Sequence, residues 1–588
     1  MRAPAALCAG AAVLAIALAG AAAASSGSDV QSDAQLRAMR DELARSKTLR
    51  LNNLDQPYFI QYSVGDAEEL SIQASLGGLI SSDKTHFRGP TIAVRVGDYK
   101  FDNTNSIYSG TGRVGAFPLD DDYLAIRTAF WLSSDTLYKM ATDQITRKRN
   151  ALREISEPET MPDFDAAKPV QSIQPVTKFK LDEKKWDTTA RELSARFALH
   201  PSVLSSSVSI RLITSMYRVM NTEGTVIRIP EDLSEVQIRA AATAPDGNRV
   251  WDHRFITALA PAQFPSESDM AKAVDAVAAE TEALAKAPLA DNYSGPVLFE
   301  QESAAQLIAQ VIANAARLQR KPVAPQGAAP HMIENEWSSK LGTRVAPAWL
   351  NIWDDPSVRK YDGRELAGTY EVDDEGVPAE RVPLVDKGIL KSFLLSREPV
   401  GDFRTSNGHG RLPGPFGSQA AAAGNVFVKS DRAVPESKMK AQLLEKVKAD
   451  GLKYGFLIRR FDFPSTASIE ELQSMFRQLQ KNGYSRSLNQ PLLAYRVYPD
   501  GREELVRGAR LGEFSARNLR DVVAASDHEY VLNYVNNGTA VNHADARSDA
   551  TTSSVICPSL LVENVDVVRA ENEVSKPPIV PPPALTAP

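Results

Sequence analysis

The chain has 588 residues, 43% hydrophobic and 24% charged, with a formal net charge of −6. This length supports several domains with substantial cores, and the composition is ordinary for a soluble globular protein. The acidic balance, with no basic block to offset phosphate repulsion, speaks against nucleic acid as a partner.

Arg2 precedes an apolar core from Ala5 to Leu18 and the small-residue run Gly20-Ala21-Ala22-Ala23-Ala24. This order is that of a secretory signal cleaved near Ala24. A membrane anchor, the alternative, needs about 20 apolar residues with flanking anchors. The mature protein is therefore expected to be periplasmic or secreted, with no membrane span after cleavage. Cys8 leaves with the signal, so Cys557 stands alone and no disulfide forms within the chain.

Leu36, Met39 and Leu43 stand at helical spacing and predict a first helix. Alternation over 59–64, 70–74 and 92–96 predicts strands of one antiparallel sheet. A long helix is expected over 122–153, with Arg147, Lys148, Arg149 and Arg153 near its negative end. Residues 157–176 form a proline-spaced connector. Helices over 183–199 and 267–286 flank strands near 208–213, 226–228 and 235–240. Residues 322–330 read as a linker or surface loop. Beyond it the chain is mostly strands and turns with two helices, the second running from the capping box at Ser468-Ile469-Glu470-Glu471 to Gly483. The tail 576–588 is proline-rich and extended. The fold class is α+β: a signal peptide (1–24), a mixed sheet-and-helix domain (25–320), a β-rich domain (321–575) and the tail.

The most informative stretch, Asp373 to Arg411, reads DDEGVPAERVPLVDKGILKSFLLSREPVGDFRTSNGHGR. It is a turn at Asp374-Glu375-Gly376, an extended run over 382–385, a tight reversal at Asp386-Lys387-Gly388 and a second strand, followed by a glycine-punctuated loop. Its wording closely resembles the TldD/PmbA family, metallopeptidase-like proteins once called modulators of DNA gyrase. Residues 491–508, a strand, a Pro-Asp-Gly turn and a strand, are similar to that family's C-terminal hairpin. The resemblance implies an α+β N-terminal domain followed by a β-rich one. It also implies peptide hydrolysis at a zinc held by a helical H-E-x-x-x-H motif in the catalytic member.

No such motif occurs in this chain. Matching the entry strand Gly295-Pro296-Val297 and the helix after it puts Ala309 at the first histidine, Gln310 at the glutamate and Asn314 at the second histidine. Zinc in such a site needs imidazole nitrogens, and the hydrolytic water needs a carboxylate. Alanine cannot ligate, glutamine is no general base and asparagine is a poor zinc ligand. Ala304, Ala305, Leu307, Ile308, Val311 and Ile312 make the same helix apolar on nearly every face, as in a buried helix.

Elsewhere, Cys557 lies in a strand-like apolar run and reads as a small hydrophobe. His528-Glu529 lacks a second histidine at ligand spacing, and His543 with Asn542 and Asp545 reads as a polar loop. No metal site is named, and no cofactor is expected unless zinc is held by a partner subunit. No G-x-S-x-G elbow, Walker loop or dinucleotide fingerprint occurs. The candidates for substrate binding are Asn407, His409 and Arg411, in a loop expected to expose donors to an extended peptide. The alanine run after it, 420–423, is small enough to let a strand approach.

Three functions follow. The chain is the zinc-lacking, non-catalytic subunit of a peptide-processing complex, since the family typically works as a zinc-bearing protein paired with a homologue that lacks the metal. Alternatively, it is an active peptidase with a shared or unaligned metal site, or a binding protein of the cell envelope. Partners on the first reading are a peptide and either a second copy or a zinc-bearing homologue.

Overall fold

The structure, a computed structural model, describes residues 30–51, 54–110, 115–155, 161–325, 327–328, 335–464, 488–536 and 550–570. The signal segment, the helix expected over 468–483, part of the 322–330 linker, His543 and the tail lie outside the described residues.

Strands β1 (Pro57–Ser75) and β2 (Gly78–Val96) form a long hairpin. Its turn has positive φ at both Leu76 (51°) and Gly77 (83°), the geometry that matches strand twist in tight hairpins. A short β3 (Gln171–Ile173) is followed by β4 (Ser205–Asn221), β5 (Val226–Pro230), β6 (Leu233–Thr243) and β7 (Arg249–Ala258). These seven strands make one sheet in which β4 pairs with β1, β5 and β6, and only β3 with β5 is parallel.

Among the described residues, four helices cover this sheet. Helices α1 (Ala34–Ser46) and α2 (Tyr123–Leu152) lay Leu36, Met39, Phe130 and Tyr138 over Ile60, Tyr62, Val64 and Val94. Helices α3 (Glu183–Ala195) and α4 (Glu267–Lys286) lay Trp186, Leu193, Met270 and Val274 over Ile72, Val208, Ile210 and Val236. Their starts are set by Asp33, Asp122, Asp182 and Ser266, whose side chains accept from the first-turn N–H groups.

Among the described residues, the second sheet has eleven strands. It begins with β8 (Tyr293–Phe299), from which the chain enters α5 (Glu302–Ala315). Next come β9 (Leu350–Asp354), the small hairpin β10 (Lys360–Tyr361) and β11 (Arg364–Glu365), and the hairpin β12 (Val382–Asp386) and β13 (Ile389–Leu390). After the two-stranded β14 (Gly410–Pro413) and β15 (Gln419–Ala421) come β16 (Asn425–Ser430), α6 (Met439–Ala449) and β17 (Gly455–Phe461). The chain closes with β18 (Pro491–Val497), β19 (Glu503–Val506), β20 (Ala509–Leu511), β21 (Val522–Asn536) and β22 (Thr551–Arg569). The order is β13-β12-β9-β16-β22-β8-β17-β18-β19, with β20 and β21 also on β22. The pairs β16–β22 and β8–β17 are parallel, so this sheet too is mixed.

Alternation along β8 places α5 and α6 on opposite faces. Val297 and Phe299 pack with Ala305, Ile308 and Ile312 of α5, while Leu298 packs with Leu443 and Val447 of α6. The change of sheet thus falls before β8, earlier than the boundary expected at residue 320, because both edges of β8 are taken by β17 and β22. Among the described residues no helix is long and apolar enough to cross a membrane.

Candidate functional site

Helix α5 carries the positions that the sequence matched to the zinc motif, and the side chains of Ala309 and Gln310 are committed to packing and hydrogen bonds. Ala309 is 2% exposed within the main core of the second sheet. Gln310 accepts from Asn489 N through Oε1 at 2.8 Å and donates through Nε2 to Gln306 O at 3.1 Å. Asn314 lies in the last turn of the helix. Glu302, Gln306 and Gln310, four residues apart, form a polar stripe on one face. Gln306 Nε2 donates to Glu302 at 3.1 Å, and its Oε1 accepts from Phe461 N at 2.8 Å. The helix is therefore not apolar all round, as the sequence suggested; amide side chains fasten it to the end of β17 and to Asn489.

This stripe leads into a buried ionic junction between the two sheets. Arg460 of β17, 3% exposed, donates through Nη1 to both oxygens of Asp252 on β7 at 3.0 and 2.9 Å, and to Glu280 of α4 at 3.0 Å. Its Nε lies 3.5 Å from Glu302. Burial pushes the Asp252 carboxyl up to about 7 against the pull of Arg460, while Arg460 holds Glu280 below its usual range despite burial. Two carboxylates against one guanidinium in a dry site share a proton, and here Asp252 carries it. Beside them, His253 Nε2 stands 2.8 Å from Asp462 Oδ1, with both side chains buried. A cavity lined by Glu235, His253, Thr257, Glu302, Gln306 and Tyr534 measures only about 10 Å³. That is room for about one water and not for a peptide.

Among the described residues no three His, Cys, Asp or Glu side chains converge in a geometry that could hold a metal. The residues on α5 do not fit zinc: position 309 has no donor atom, and the amide at 310 is engaged at both ends. Cys557 is fully buried, its Sγ 3.3 Å from Pro558 O, and burial raises its thiol well above the usual range. It packs as the apolar residue the sequence suggested.

The motif from Asp373 to Arg411 is internal architecture. Asp373 Oδ1 accepts from Glu375 N and Val377 N, and Oδ2 from Gly410 N at 2.9 Å, so one carboxylate shapes the turn and ties it to β14. Burial, with Glu375 beside it, pushes Asp373 up to about 7. Asn407 pins the loop by accepting from Leu395 N and donating to Phe393 O. Arg397, fully buried, donates to Glu223 and Asp165 O and stacks 4.0 Å from the Phe164 ring, joining this loop to the first sheet.

The expectation of exposed donors is corrected here. His409 has no exposed surface; its Nε2 faces Asp354 Oδ1 at 3.1 Å and its Nδ1 faces Asn407 O at 3.0 Å. Asp354 Oδ2 is used in turn by Gly424 N. Arg411 is half-buried, over the Tyr370 ring at 4.1 Å and donating to Thr552 O. Ala421, Ala422 and Ala423 are buried against this chain itself, and β14 already pairs with β15 at Ala420 and Ala421. A histidine between two glycines carried no sequence signal for burial, and Asp354, its partner, lies 55 residues away. The stripe Glu302, Gln306, Gln310 was visible in the helical spacing. His253 with Asp462, 209 residues apart, was not.

Comparison with known proteins agrees with this architecture. Residues 292–461 match the PmbA/TldA metallopeptidase C-terminal domain. The chain is 31% identical over 101 residues to Metalloprotease MJ0996 of Methanocaldococcus jannaschii, covering 17% of this chain and 21% of that protein. It is 25% identical over 215 residues to a metalloprotease of Methanothermobacter thermautotrophicus, covering 35% of this chain and 44% of that one. The chain thus spans less than half the length of these curated relatives. Among solved structures it is similar to TldE of Thermococcus kodakarensis, with a TM-score of 0.54 at 12% identity, covering 90% of this chain and 100% of that chain. It is also similar to a Thermotoga maritima protein described as a modulator of DNA gyrase, with a TM-score of 0.55 at 16% identity, covering 90% of this chain and 99% of that chain. The overall fold is that of these structures, and residues 292–461 are a C-terminal domain of the PmbA/TldD metallopeptidase family.

Proposed function

We propose that this chain is an exported, non-catalytic member of a peptide-processing assembly, whose hydrolytic zinc is supplied by a homologous partner. The observation that carries this reading is the state of α5. Ala309 is core, and Gln310 is hydrogen-bonded at both ends of its amide, where a zinc peptidase needs an imidazole and a water-activating carboxylate. The fold shared with TldE supports an intact scaffold around that helix. Export is supported by the charged, apolar and small-residue order of residues 1–24.

The test is co-purification with a homologue bearing H-E-x-x-x-H, followed by peptide hydrolysis by each protein alone and by the pair. A stable complex whose cleavage rate exceeds that of the homologue alone is expected. Zinc-dependent cleavage by this chain on its own, or failure to associate in any ratio, would overturn the assignment.

A further inference from the structure

A second cavity opens just beyond the C-terminal end of α5 and measures about 200 Å³. One water needs only about 10–15 Å³ on this kind of measure, so the space accommodates a side chain of ordinary amino-acid size. Leu318, Pro413 and Ala420 give it an apolar wall, while Glu398, Ser418 and Gln419 give it a polar one. Arg317 also borders it, already engaged in an interaction of its own. The recognition chemistry therefore lies with Glu398 and Gln419.

Gln419 Oε1 is buried and has no hydrogen-bond partner among the described residues. A buried acceptor in that state is stabilised by an N–H that reaches it. Glu398 supplies the opposite function. Burial pushes its carboxyl up to about 8, against the downward pull of Arg320, Arg95 and the Ser418 hydrogen bond, and Glu375 adds to the rise. At neutral pH it keeps its proton and offers an O–H donor. Ser418 hydrogen-bonds to Glu398 and is the chain neighbour of Gln419, so donor and acceptor belong to one polar wall. Such a wall is matched by a group that presents an N–H and a C=O on the same edge. A trans peptide unit points its N–H and C=O in opposite directions. A primary carboxamide holds them side by side, whereas an ionised carboxylate has no donor at all.

We propose that this cavity binds a primary carboxamide, the group carried by glutamine and asparagine side chains. The amide nitrogen donates to Gln419 Oε1, the amide oxygen accepts from Glu398, and the methylene stem rests on Leu318, Pro413 and Ala420. Presentation of the side chain on a peptide, rather than on a free amino acid, rests on the peptide-handling reading above. Binding by the isolated chain requires neither partner nor zinc, so the two proposals fail separately.

The test is calorimetric titration of the isolated chain at pH 7 with N-acetyl-glutamine methylamide, with its glutamate and methionine counterparts, and with free glutamine. The glutamine compound is expected to bind at least about tenfold more tightly than either counterpart, a difference of about 1.4 kcal/mol. Glutamate lacks the N–H that Gln419 needs, and methionine lacks both polar groups. Gln419→Leu should lower affinity for the glutamine compound about tenfold at unchanged melting temperature. Binding to the wild type should weaken from pH 7 to pH 9, as Glu398 ionises and no longer donates to the amide oxygen. Glu398→Gln, which keeps a donor at every pH, should bind at pH 7 and lose that pH dependence. Free glutamine binding as tightly as the blocked compound would uphold the carboxamide site and assign it to the free amino acid. Equal binding of the three blocked compounds, tighter binding of the glutamate compound, or no saturable binding of glutamine in either form at millimolar concentration would each overturn the proposal.

Discussion

His409 illustrates how a side chain that looks catalytic in sequence becomes part of the scaffold. Both ring nitrogens face oxygens, Asp354 on one side and Asn407 on the other, and none of its surface reaches solvent. Removing the ring leaves Asp354 buried with a lost partner and opens a cavity. His409→Ala is therefore expected to lower unfolding free energy by about 3 kcal/mol in urea titrations. Peptide binding to the protein that remains folded should be unchanged. A stable variant with impaired peptide binding would instead place His409 at the ligand. Gln310 makes the same point on α5: a residue that the sequence reading matched to a catalytic carboxylate serves to join the helix to Asn489.

At the scale of elements, the helices were the most legible part. α4 spans Glu267–Lys286, the span expected from the sequence, because Ser266 caps it and its apolar positions repeat at helical spacing. The hairpin at β12 and β13 was equally plain. Lys387 and Gly388 both have positive φ, and a Cβ on Gly388 would lie 2.2 Å from Ala346 O. Gly388→Ala should destabilise the protein by more than about 1 kcal/mol through combined strain and clash; an unchanged urea midpoint would contradict this. The long strand β1 was read as two pieces, because Asp66 and Glu69 interrupt the apolar alternation. Their partners, Arg88 on β2 and Arg211 on β4, become neighbours only when the sheet forms. The parallel neighbour of β8 is invisible for the same reason: β17 lies over 150 residues downstream, and no local pattern specifies it.

On the scale of the whole molecule, the two sheets are held together by buried charge as well as apolar contact. Arg460 on β17 meets Asp252, Glu280 and Glu302 from three other elements, and Asp252 keeps a proton up to about pH 7. The carboxyl of Asp252 is raised in the folded chain above its unfolded value. Its stabilising contribution is therefore complete below about pH 4 and is lost as pH rises through about 7. Asp252→Asn, which holds the group neutral, should reduce the loss of unfolding free energy between pH 4 and pH 7.5. Identical pH profiles for wild type and variant would show that the junction does not titrate as described.

The absence of a zinc-competent set of residues on α5 is tested most directly by the metal content of the purified, full-length chain measured by mass spectrometry, with peptide cleavage assayed before and after chelation. Ala309 in the core and Gln310 bonded to Asn489 and Gln306 lead to zinc far below one ion per chain and no chelator-sensitive cleavage. One zinc per chain, removed by a chelator together with cleavage activity, would contradict it.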